Sequence, residues 1–279
     1  MGMANEAAEA RHKKNLERIK RFRLLDDDFM TKCFEGQIEA TELLVHVILN
    51  VKWRVLEAKT QDTIKNLQGR GVRLDIHAVT EDARHVNIEI QRQDKGAGTK
   101  RARYNASILD ANMLLTGDEY EKLPDAYVIF VTETDVLGMG EPIYFIERHI
   151  EGKNIRFNDG SHIVYVNHEI QDETPLGRLM HDFACTDAKD MYYAVLADRV
   201  RFFKETEEGV ASMCRVMEEI REEGREEGRE EGREEGREEG RMEMARNLIL
   251  MGDIALEKIA QAAKLPLEEV RKLAREQFA

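Results

Sequence analysis

The sequence predicts an α/β fold, in which a mixed central sheet with helices on its faces precedes a charged helical spacer and a small all-α C-terminal module. Three patterns support this prediction. Helical spacing and strand alternation of apolar residues succeed one another up to about residue 220, as they do in layered α/β domains. Five tandem REEG tetrads then occupy residues 221–240. Residues 244–278 return to helical spacing, with a break at KLPL.

Three helical segments are predicted before the first strand. Residues 4–24 are amphipathic, and LLDDDFMTKCF at residues 24–34 places acids that can cap a helix before an apolar turn. The segment TELLVHVILNVKWRVLEA, residues 41–58, is mostly apolar, so it predicts a largely buried helix.

The segment GRGVRLDIHAVTEDARHVNIEIQRQ, residues 69–93, predicts a β-hairpin with its turn at residues 80–84. Because side chains alternate between the two faces of a strand, one face of the hairpin is apolar and the other is polar. The polar residues are Arg73, Asp75 and His77 in the first strand and Asn87, Glu89 and Gln91 in the second. Pairing of the strands is expected to bring Asp75 close to Glu89 and Gln91.

This polar face has two interpretations. Polar residues that alternate with apolar ones ordinarily face solvent on a half-buried sheet. A strand-borne acid followed by a hairpin and Glu-x-Gln is also the layout that a hydrolytic metal site needs. Hard oxygen ligands on adjacent strands hold Mg²⁺ where it can polarise a phosphate and lower the pKa of a water. The spacing alone leaves both interpretations open.

Helix and strand patterns alternate after the hairpin. Residues 100–117 predict a helix, and DAYVIFVTE, residues 125–133, is an apolar run typical of a buried strand. Residues 142–150 and 161–169 alternate like further strands. From residue 176 to residue 220 the apolar side chains are spaced by three and four, as in helices. This order fits a mixed sheet with helices on its faces.

The REEG tetrads combine opposing effects on helix stability. Each interior glycine costs about 1 kcal/mol relative to alanine, whereas Glu and Arg three positions apart form pairs worth about 0.2–0.5 kcal/mol. The balance predicts a solvated, semi-helical spacer of up to about 30 Å. Beyond it, IALEKIAQAAKLPLEEVRKL is similar to a helix-turn-helix in which Lys264 replaces the usual turn glycine. Its second helix has mixed charges, so an interaction or oligomerisation module is as well supported as DNA recognition.

Net charge limits the partners of the protein. The chain carries a net charge of −13, which argues against a broad basic surface for nucleic acid. One local basic stretch, RQDKGAGTKRARYN, follows the hairpin. It contains Arg92, Lys95, Lys100, Arg101 and Arg103, with Tyr104 beside them. A solvated helix start is one interpretation; together with the acids, the stretch resembles a metal site with a rim that positions phosphates.

The spacing of the cysteines and the lack of an apolar targeting segment both favour the cytoplasm. Cys33, Cys185 and Cys214 lie far apart without a CxxC pair, which is typical of reduced thiols and gives no sign of zinc. No apolar run approaches transmembrane length, and the first 25 residues lack the apolar stretch of a signal peptide. We therefore expect a soluble, cytoplasmic protein that binds no membrane.

Four blocks of the sequence carry a resemblance to a known family. They are LDDDFMTKCFEG, IKNLQGRGVRLDIHA, NIEIQRQDKGAGTKRARYNASILDANMLLTGDEYEKLPDAYVIFVTE and TPLGRLMHDFACTDAKDMYY. These blocks, spread over roughly residues 20–215, resemble the PD-(D/E)XK nuclease family transposases, relatives of the recombination-promoting Rpn nucleases. The resemblance implies a restriction-endonuclease-like α/β/α core and Mg²⁺-dependent cleavage of DNA phosphodiesters, with DNA as the partner.

The resemblance also implies roles for single residues. Asp75 in RLDI and Glu89 in IEIQ stand at the two motif acids and are implied metal ligands. Gln91 stands where the wider superfamily has its lysine, although the Rpn-like branch is similar to this sequence in having E-x-Q. Leu74 replaces the proline of the nominal PD. Glu42 resembles an extra helical acid that many of these nucleases contribute to the metal, but an acid early in a helix is also favoured by the macrodipole.

The expected function is that of a Mg²⁺-dependent DNA endonuclease of the mobile-element type, in which Asp75 and Glu89 bind the metal and Gln91 positions water. The alternative is a catalytically weak or inactive nuclease-fold protein that acts in DNA binding or protein assembly. The expected divisions are a helical extension at 1–20, a nuclease-like domain at 21–219, the spacer at 220–242 and a helical module at 243–279. If this last module serves oligomerisation and not DNA recognition, the protein forms a homo-oligomer through it.

Overall fold

The computed structural model of the protein describes residues 2–66, 69–92 and 96–277. The chain divides into two compact units, Met1–Arg215 and Val216–Ala279. All strands described lie within the first unit. Among the helices of the described ranges, none combines the length and the apolarity that crossing a membrane requires.

A six-stranded mixed sheet forms the centre of the first unit. The strands of the chain are β1 (Val55–Ile64), β2 (Val72–Thr80), β3 (His85–Gln91), β4 (Ala126–Thr132), β5 (Ile143–Ile146), β6 (His149–Ile150), β7 (Ile155–Arg156) and β8 (Ser161–Asn167). The central sheet has the order β1-β2-β3-β4-β8-β5, and β6 pairs with β7 separately. Strands β3, β4 and β8 are parallel, whereas β1, β2 and β5 pair antiparallel to their neighbours.

Helices flank this sheet. They are α1 (Gly2–Arg21), α2 (Asp27–Phe34), α3 (Ile38–Leu49), α4 (Thr99–Met113), α5 (Pro175–Ala184) and α6 (Ala194–Glu205). Helices α2 and α3 contact β1, and α4 contacts β4 and β8. Small residues of α4, Ala102 and Ala106, let the helix approach closely to the buried rings of Phe130 and Tyr165. The predicted α/β class with a mixed sheet is confirmed.

The helix predicted through residue 58 is wrong in its second half. Helix α3 ends at Leu49, and Asn50 takes a left-handed conformation with φ of 51°. Residues from Val55 onward form β1, which hydrogen-bonds to β2 along one edge of the sheet. Most side chains of β1 are partly or fully exposed. The strand therefore lacks the apolar alternation that would have identified it.

Two other elements are shorter than their patterns predict. The helix predicted at residues 100–117 ends at Met113. The strand predicted at residues 142–150 is interrupted and forms two strands, β5 and β6. The strands predicted at residues 125–133 and 161–169 are confirmed as β4 and β8 to within two residues at each end.

The remaining helices are α7 (Glu207–Met251), α8 (Leu256–Ala263) and α9 (Leu267–Gln277). All REEG tetrads are helical and exposed within α7, whereas the composition predicts a semi-helical spacer. Extending an existing helix is much easier than nucleating one, so the helical residues on either side offset the cost of the glycines. After α8, Lys264 adopts φ of 53°, which makes the turn expected between the two helices.

Candidate active site

The site lies where β2 and β3 separate. Pairing of the two strands runs from Val79–His85 to Ile76–Ile88 and stops there, although both strands continue. Beyond this point the Asp75 carboxylate replaces the ladder, because its Oδ2 accepts the backbone N–H of Ile90 at 2.9 Å. The sheet is therefore open beside Asp75.

Glu89 lies on the face of β3 that is covered by α4. Parallel register aligns it with Phe130 of β4, and its side chain is fully buried. Asn87 Nδ2 donates to Glu89 Oε1 at 3.0 Å, and Arg101 Nη2 donates to Oε2 at 2.7 Å. The interpretation of this polar face as a solvated surface is therefore wrong for Glu89. The sequence predicts Arg101 only as a rim cation.

Burial and like charge make the two acids difficult to ionise together. Burial of the Asp75 carboxyl and, secondly, the charge of Glu89 raise the pKa of Asp75 to about 7. The Ile90 amide and the Arg101 guanidinium act in the opposite direction without cancelling these effects. Burial also raises the pKa of Glu89, against the hydrogen bonds from Asn87 and Arg101. A cation between the carboxylates would relieve this cost.

The donor atoms at this position suit a hard divalent cation. Asp75 and Glu89 offer carboxylate oxygens, which such cations prefer. Beside Glu89, Oδ1 of Asn87 is buried with no hydrogen-bond partner among the described residues. A buried unpaired oxygen is costly, and a missing ion or water is one explanation for it. These residues therefore fit a divalent metal.

A cleft of about 980 Å³ includes Asp75 and Gln91 in its lining. The cations that line it are Arg70, Arg73, Lys100, Arg101 and Arg103. Apart from Arg101, none of them forms a salt bridge with another described residue. They are available to bind phosphate groups, which guanidinium and ammonium groups recognise well.

Among the described residues, the predicted rim cation Arg92 does not join this lining. Arg92 pairs with Asp26 at 2.8 Å and approaches Glu133 at 3.7 Å. Lys95 lies outside the described residues. Tyr104, predicted beside the cations, does line the cleft, and its hydroxyl donates to the backbone carbonyl of Arg70. It holds the backbone of a rim arginine in place.

Gln91 lies at the end of β3, against the backbone of Gly96. A Cβ atom added to Gly96 would lie only 1.8 Å from Gln91 Oε1 and 3.3 Å from Arg101 Nη1. Arg101 Nη1 also donates to the Gly96 carbonyl at 2.9 Å. The absence of a side chain at residue 96 thus lets Gln91 and Arg101 share one corner of the cleft.

Asp27 is an acid of the site that the sequence predicts only as a helix-capping residue. It is the first residue of α2, which contacts β1 and β2. Asp27 lines the cleft, and its charge contributes to raising the pKa of Asp75. Its Oδ1 accepts a hydrogen bond from Gln61 Nε2 at 3.1 Å. The run of three acids in LLDDDF was the available signal, but its distance to Asp75 is set by packing.

Glu42 and His77 form hydrogen bonds with residues outside the cleft. Glu42 Oε1 accepts the backbone N–H of Val55 at 2.7 Å, so it joins α3 to the start of β1. It does not line the cleft, and its resemblance to an extra metal-binding acid is not supported by this position. His77 Nδ1 lies 2.7 Å from Asp62 Oδ2, and its Nε2 lies 3.0 Å from His85 Nδ1.

Residues 41–174 match the family described as PD-(D/E)XK nuclease family transposase. The matched segment contains Asp75, Glu89, Gln91 and Arg101, whereas Asp27 precedes it. Neither the curated proteins nor the solved structures gave a match.

Proposed function

We propose, from the match of residues 41–174 to the PD-(D/E)XK nuclease family transposases, that the protein is a Mg²⁺-dependent DNA endonuclease. The observation that carries the proposal is the pairing of a half-buried acid, Asp75, with a fully buried one, Glu89, at the opening between β2 and β3. These acids adjoin a cleft whose cations are suited to phosphates. DNA is the expected partner because a polyanion would match Arg70, Arg73, Lys100 and Arg103.

Each part of the proposed site has a distinct task. Asp75 and Glu89 would hold the metal, and the Asn87 amide oxygen would stabilise it nearby. When bound, a divalent metal supplies Lewis acidity toward phosphate and a lower pKa for water. Gln91 would orient the attacking water through its side-chain amide. Arg70, Arg73, Lys100 and Arg103, which line the cleft, would hold the strand to be cut.

Arg101 adds a positive charge that Gln91 cannot supply. Its guanidinium contacts Glu89 and the loop that carries Gly96. We assign to Arg101 the charge compensation that a lysine at position 91 would otherwise provide as negative charge develops on the phosphate. Arg101 already donates a hydrogen bond to Glu89 Oε2. This hydrogen bond must therefore weaken when a metal cation binds the same oxygen.

A protein with weak or no catalysis, acting in DNA binding or assembly, is the second candidate. The specific observation in its favour is the ion pair between Arg101 and Glu89, which satisfies the acid without any metal. Under this alternative, Mg²⁺ would not bind measurably and the cleft would only hold nucleic acid.

One experiment separates the two candidates. Supercoiled plasmid is incubated with the full-length protein in Mg²⁺ and in chelator, alongside Asp75→Ala, Glu89→Ala and the double variant. We expect Mg²⁺-dependent nicking that each single substitution abolishes, with the double variant little worse, because residues acting as a unit are not additive. The control is Glu57→Ala, an exposed acid on β1, which should cut normally. Undiminished cutting by either active-site variant would refute the assignment.

A further inference from the structure

Gln61 of β1 has a backbone conformation that is rare in a strand. Its φ of 52° lies in the left-handed region, which few residues other than glycine, asparagine and aspartate adopt. Between residues 57 and 64, β1 pairs with β2 at every position except Gln61, which the register places opposite Asp75. The strained residue therefore lies directly across from the acid at the opening of the sheet.

The side-chain amide of Gln61 joins β1 to α2. Its Nε2 donates to Asp27 Oδ1 at 3.1 Å and to Thr31 Oγ1 at 3.0 Å. Asp27 and Thr31 are four residues apart, so they lie on the same side of the helix. The amide thus binds one face of α2 through both of its hydrogens.

The orientation of this amide is set by the acid. Oε1 of Gln61 is buried and has no hydrogen-bond partner among the described residues. The reverse orientation would place this oxygen against the Asp27 carboxylate, where two acceptors repel each other. An unpaired buried oxygen destabilises a fold. The Gln61 side chain therefore holds Asp27 while its own oxygen stays unsatisfied.

Asp27 and Asp75 border the same space. Both line the cleft of about 980 Å³ and a second cavity of about 460 Å³, and Gln91 and Gly96 also line both. Among the described residues, Asp27 and Asp75 are the acids of these two linings. Asp27 is exposed, and its Oδ2 accepts no hydrogen bond from the part of the chain that the structure describes. One oxygen is held by Gln61, and the other is available to a cation.

The residue before Asp27 fixes the start of α2 in the same place. Asp26 forms an ion pair with Arg92, whose Nη1 lies 2.8 Å from Asp26 Oδ1. Arg92 directly follows Gln91, the last residue of β3. The beginning of α2 is therefore tied to β3 by this ion pair and to β1 by the Gln61 amide. The ion pair holds the backbone of the helix start, and the amide orients the Asp27 carboxylate.

A link that only joins α2 to β1 is the competing interpretation. Under it, the two hydrogen bonds of the amide would be equivalent, and the position of Gln61 opposite Asp75 would have no significance. Strained residues persist where surrounding contacts fix them, and they are concentrated at functional sites. The position of Gln61 and its contact with a second acid of the cleft favour a role in the site.

We propose that Gln61 is a positioning residue of the nuclease site, whose amide holds the Asp27 carboxylate where it and Asp75 can bind the same divalent cation. This inference rests on the proposed function of the protein as a metal-dependent nuclease. Gln61 lines neither cavity, so it acts on the cation through Asp27 and touches neither the metal nor DNA.

The test measures Mg²⁺ binding without DNA, by calorimetric titration of the full-length protein. Wild type is compared with Asp27→Asn, with Gln61→Met, which keeps the length of the side chain but removes the amide, and with the double variant. We expect Gln61→Met to lower Mg²⁺ affinity about tenfold, as loss of an outer-shell partner does, and Asp27→Asn to lower it at least as much. The double variant should bind no more weakly than Asp27→Asn, because Gln61 acts through that residue.

Gln61→Gly separates this role from a purely structural one. Glycine takes a φ of 52° without strain, so in chelator this variant should melt at or above the temperature of Gln61→Met. Its Mg²⁺ affinity should still fall about tenfold. Two matched controls should bind Mg²⁺ like the wild type. Thr31→Val removes the other hydrogen bond of the same amide, and Asp28→Asn removes a neighbouring charge that lines neither cavity.

The outcomes distinguish this inference from the proposed function. A wild type that neither binds Mg²⁺ nor nicks plasmid would overturn both. A wild type that binds Mg²⁺ and nicks plasmid, with unchanged affinity in Gln61→Met or in Asp27→Asn, would overturn the role of Gln61 alone. Recovery of Mg²⁺ affinity together with stability in Gln61→Gly would show that Gln61 acts only on the fold, and it would overturn that role as well.

Discussion

Asp75 couples the stability of the fold to pH. Its pKa rises from an ordinary 3.8 to about 7 because the carboxyl is buried and lies near the charge of Glu89. The folded protein therefore binds this proton more tightly than the unfolded chain does. Its stabilising contribution is complete below about pH 4 and is lost as the pH rises through 7.

We accordingly expect chelator-treated wild-type protein to lose stability from pH 4 to 7 relative to Asp75→Asn, by on the order of 2–4 kcal/mol. Urea unfolding at several pH values measures this difference. Glu57→Gln, at an exposed position, should follow the wild type throughout. Added Mg²⁺ should restore stability to the wild type above pH 7 and not to Asp75→Asn. Identical pH profiles for wild type and Asp75→Asn would show that the pKa of the Asp75 carboxyl is not raised by the fold.

Substitution of Arg101 tests whether its guanidinium group competes with a metal ion for the Glu89 carboxylate. Replacing it by methionine keeps the aliphatic stem but removes the 2.7 Å ion pair, so we expect tighter Mg²⁺ binding together with cleavage slowed at least tenfold. Loss of this hydrogen-bonded partner of a buried acid should cost about 1–3 kcal/mol of stability without Mg²⁺. Calorimetric titration and plasmid nicking measure the two effects.

Arg103→Met is the matched control for that prediction. Arg103 lines the same cleft without a salt bridge to the described residues, so its loss should weaken DNA binding and leave Mg²⁺ affinity unchanged. If Arg101→Met weakens Mg²⁺ binding, the guanidinium does not compete with the metal, and the role proposed for it is wrong.

At the scale of elements, Gly96, which lies between β3 and α4, allows Gln91 and Arg101 to share one corner of the cleft. A second glycine, Gly98, directly precedes α4. These glycines differ sharply in their surroundings, since a Cβ at Gly96 meets Gln91 Oε1 whereas one at Gly98 meets nothing within 4 Å. The Gln91 amide is the end of a side chain that can rotate. When alanine replaces Gly96, we expect the amide to move away from the new Cβ atom without unfolding the protein.

Gly96→Ala should therefore reduce cleavage about tenfold or more, since Gln91 loses its position beside the water, while the melting temperature changes little. Gly98→Ala should alter neither quantity. Rates on plasmid and thermal melts of the two variants make the comparison. Equal rates for both would mean that the Gln91 side chain is not held by this corner.

At the scale of the whole molecule, the two compact units predict that the first can fold alone. All described strands precede the REEG tetrads. A chain cut after Glu219 should melt cooperatively and retain Mg²⁺-dependent nicking. A shorter chain cut after Glu205 loses Met213, which is fully buried, and should melt at a lower temperature. An insoluble or non-cooperative 1–219 chain would show that the expected boundary is misplaced.

Local patterns account for much of the architecture. Strand alternation correctly separates Asp75 from Ile76 and Glu89 from Ile88, because the period of a strand depends only on its own backbone. Helical spacing likewise predicts α4 to within a few residues. The resemblance correctly indicates the family matched by residues 41–174, a range that contains the second and third of its four blocks.

Other features depend on contacts between distant segments. Strand β1 has no apolar stripe and is stabilised by pairing with β2, so its own residues could not reveal it. Arg101 meets Glu89 because α4 packs on β4, the strand beside β3, and Asp27 reaches the cleft because α2 packs against β1 and β2. Periodicity assigns a side chain to a face of its own element. Which charges then meet, and how strongly burial shifts their pKa values, follows from the way the elements pack.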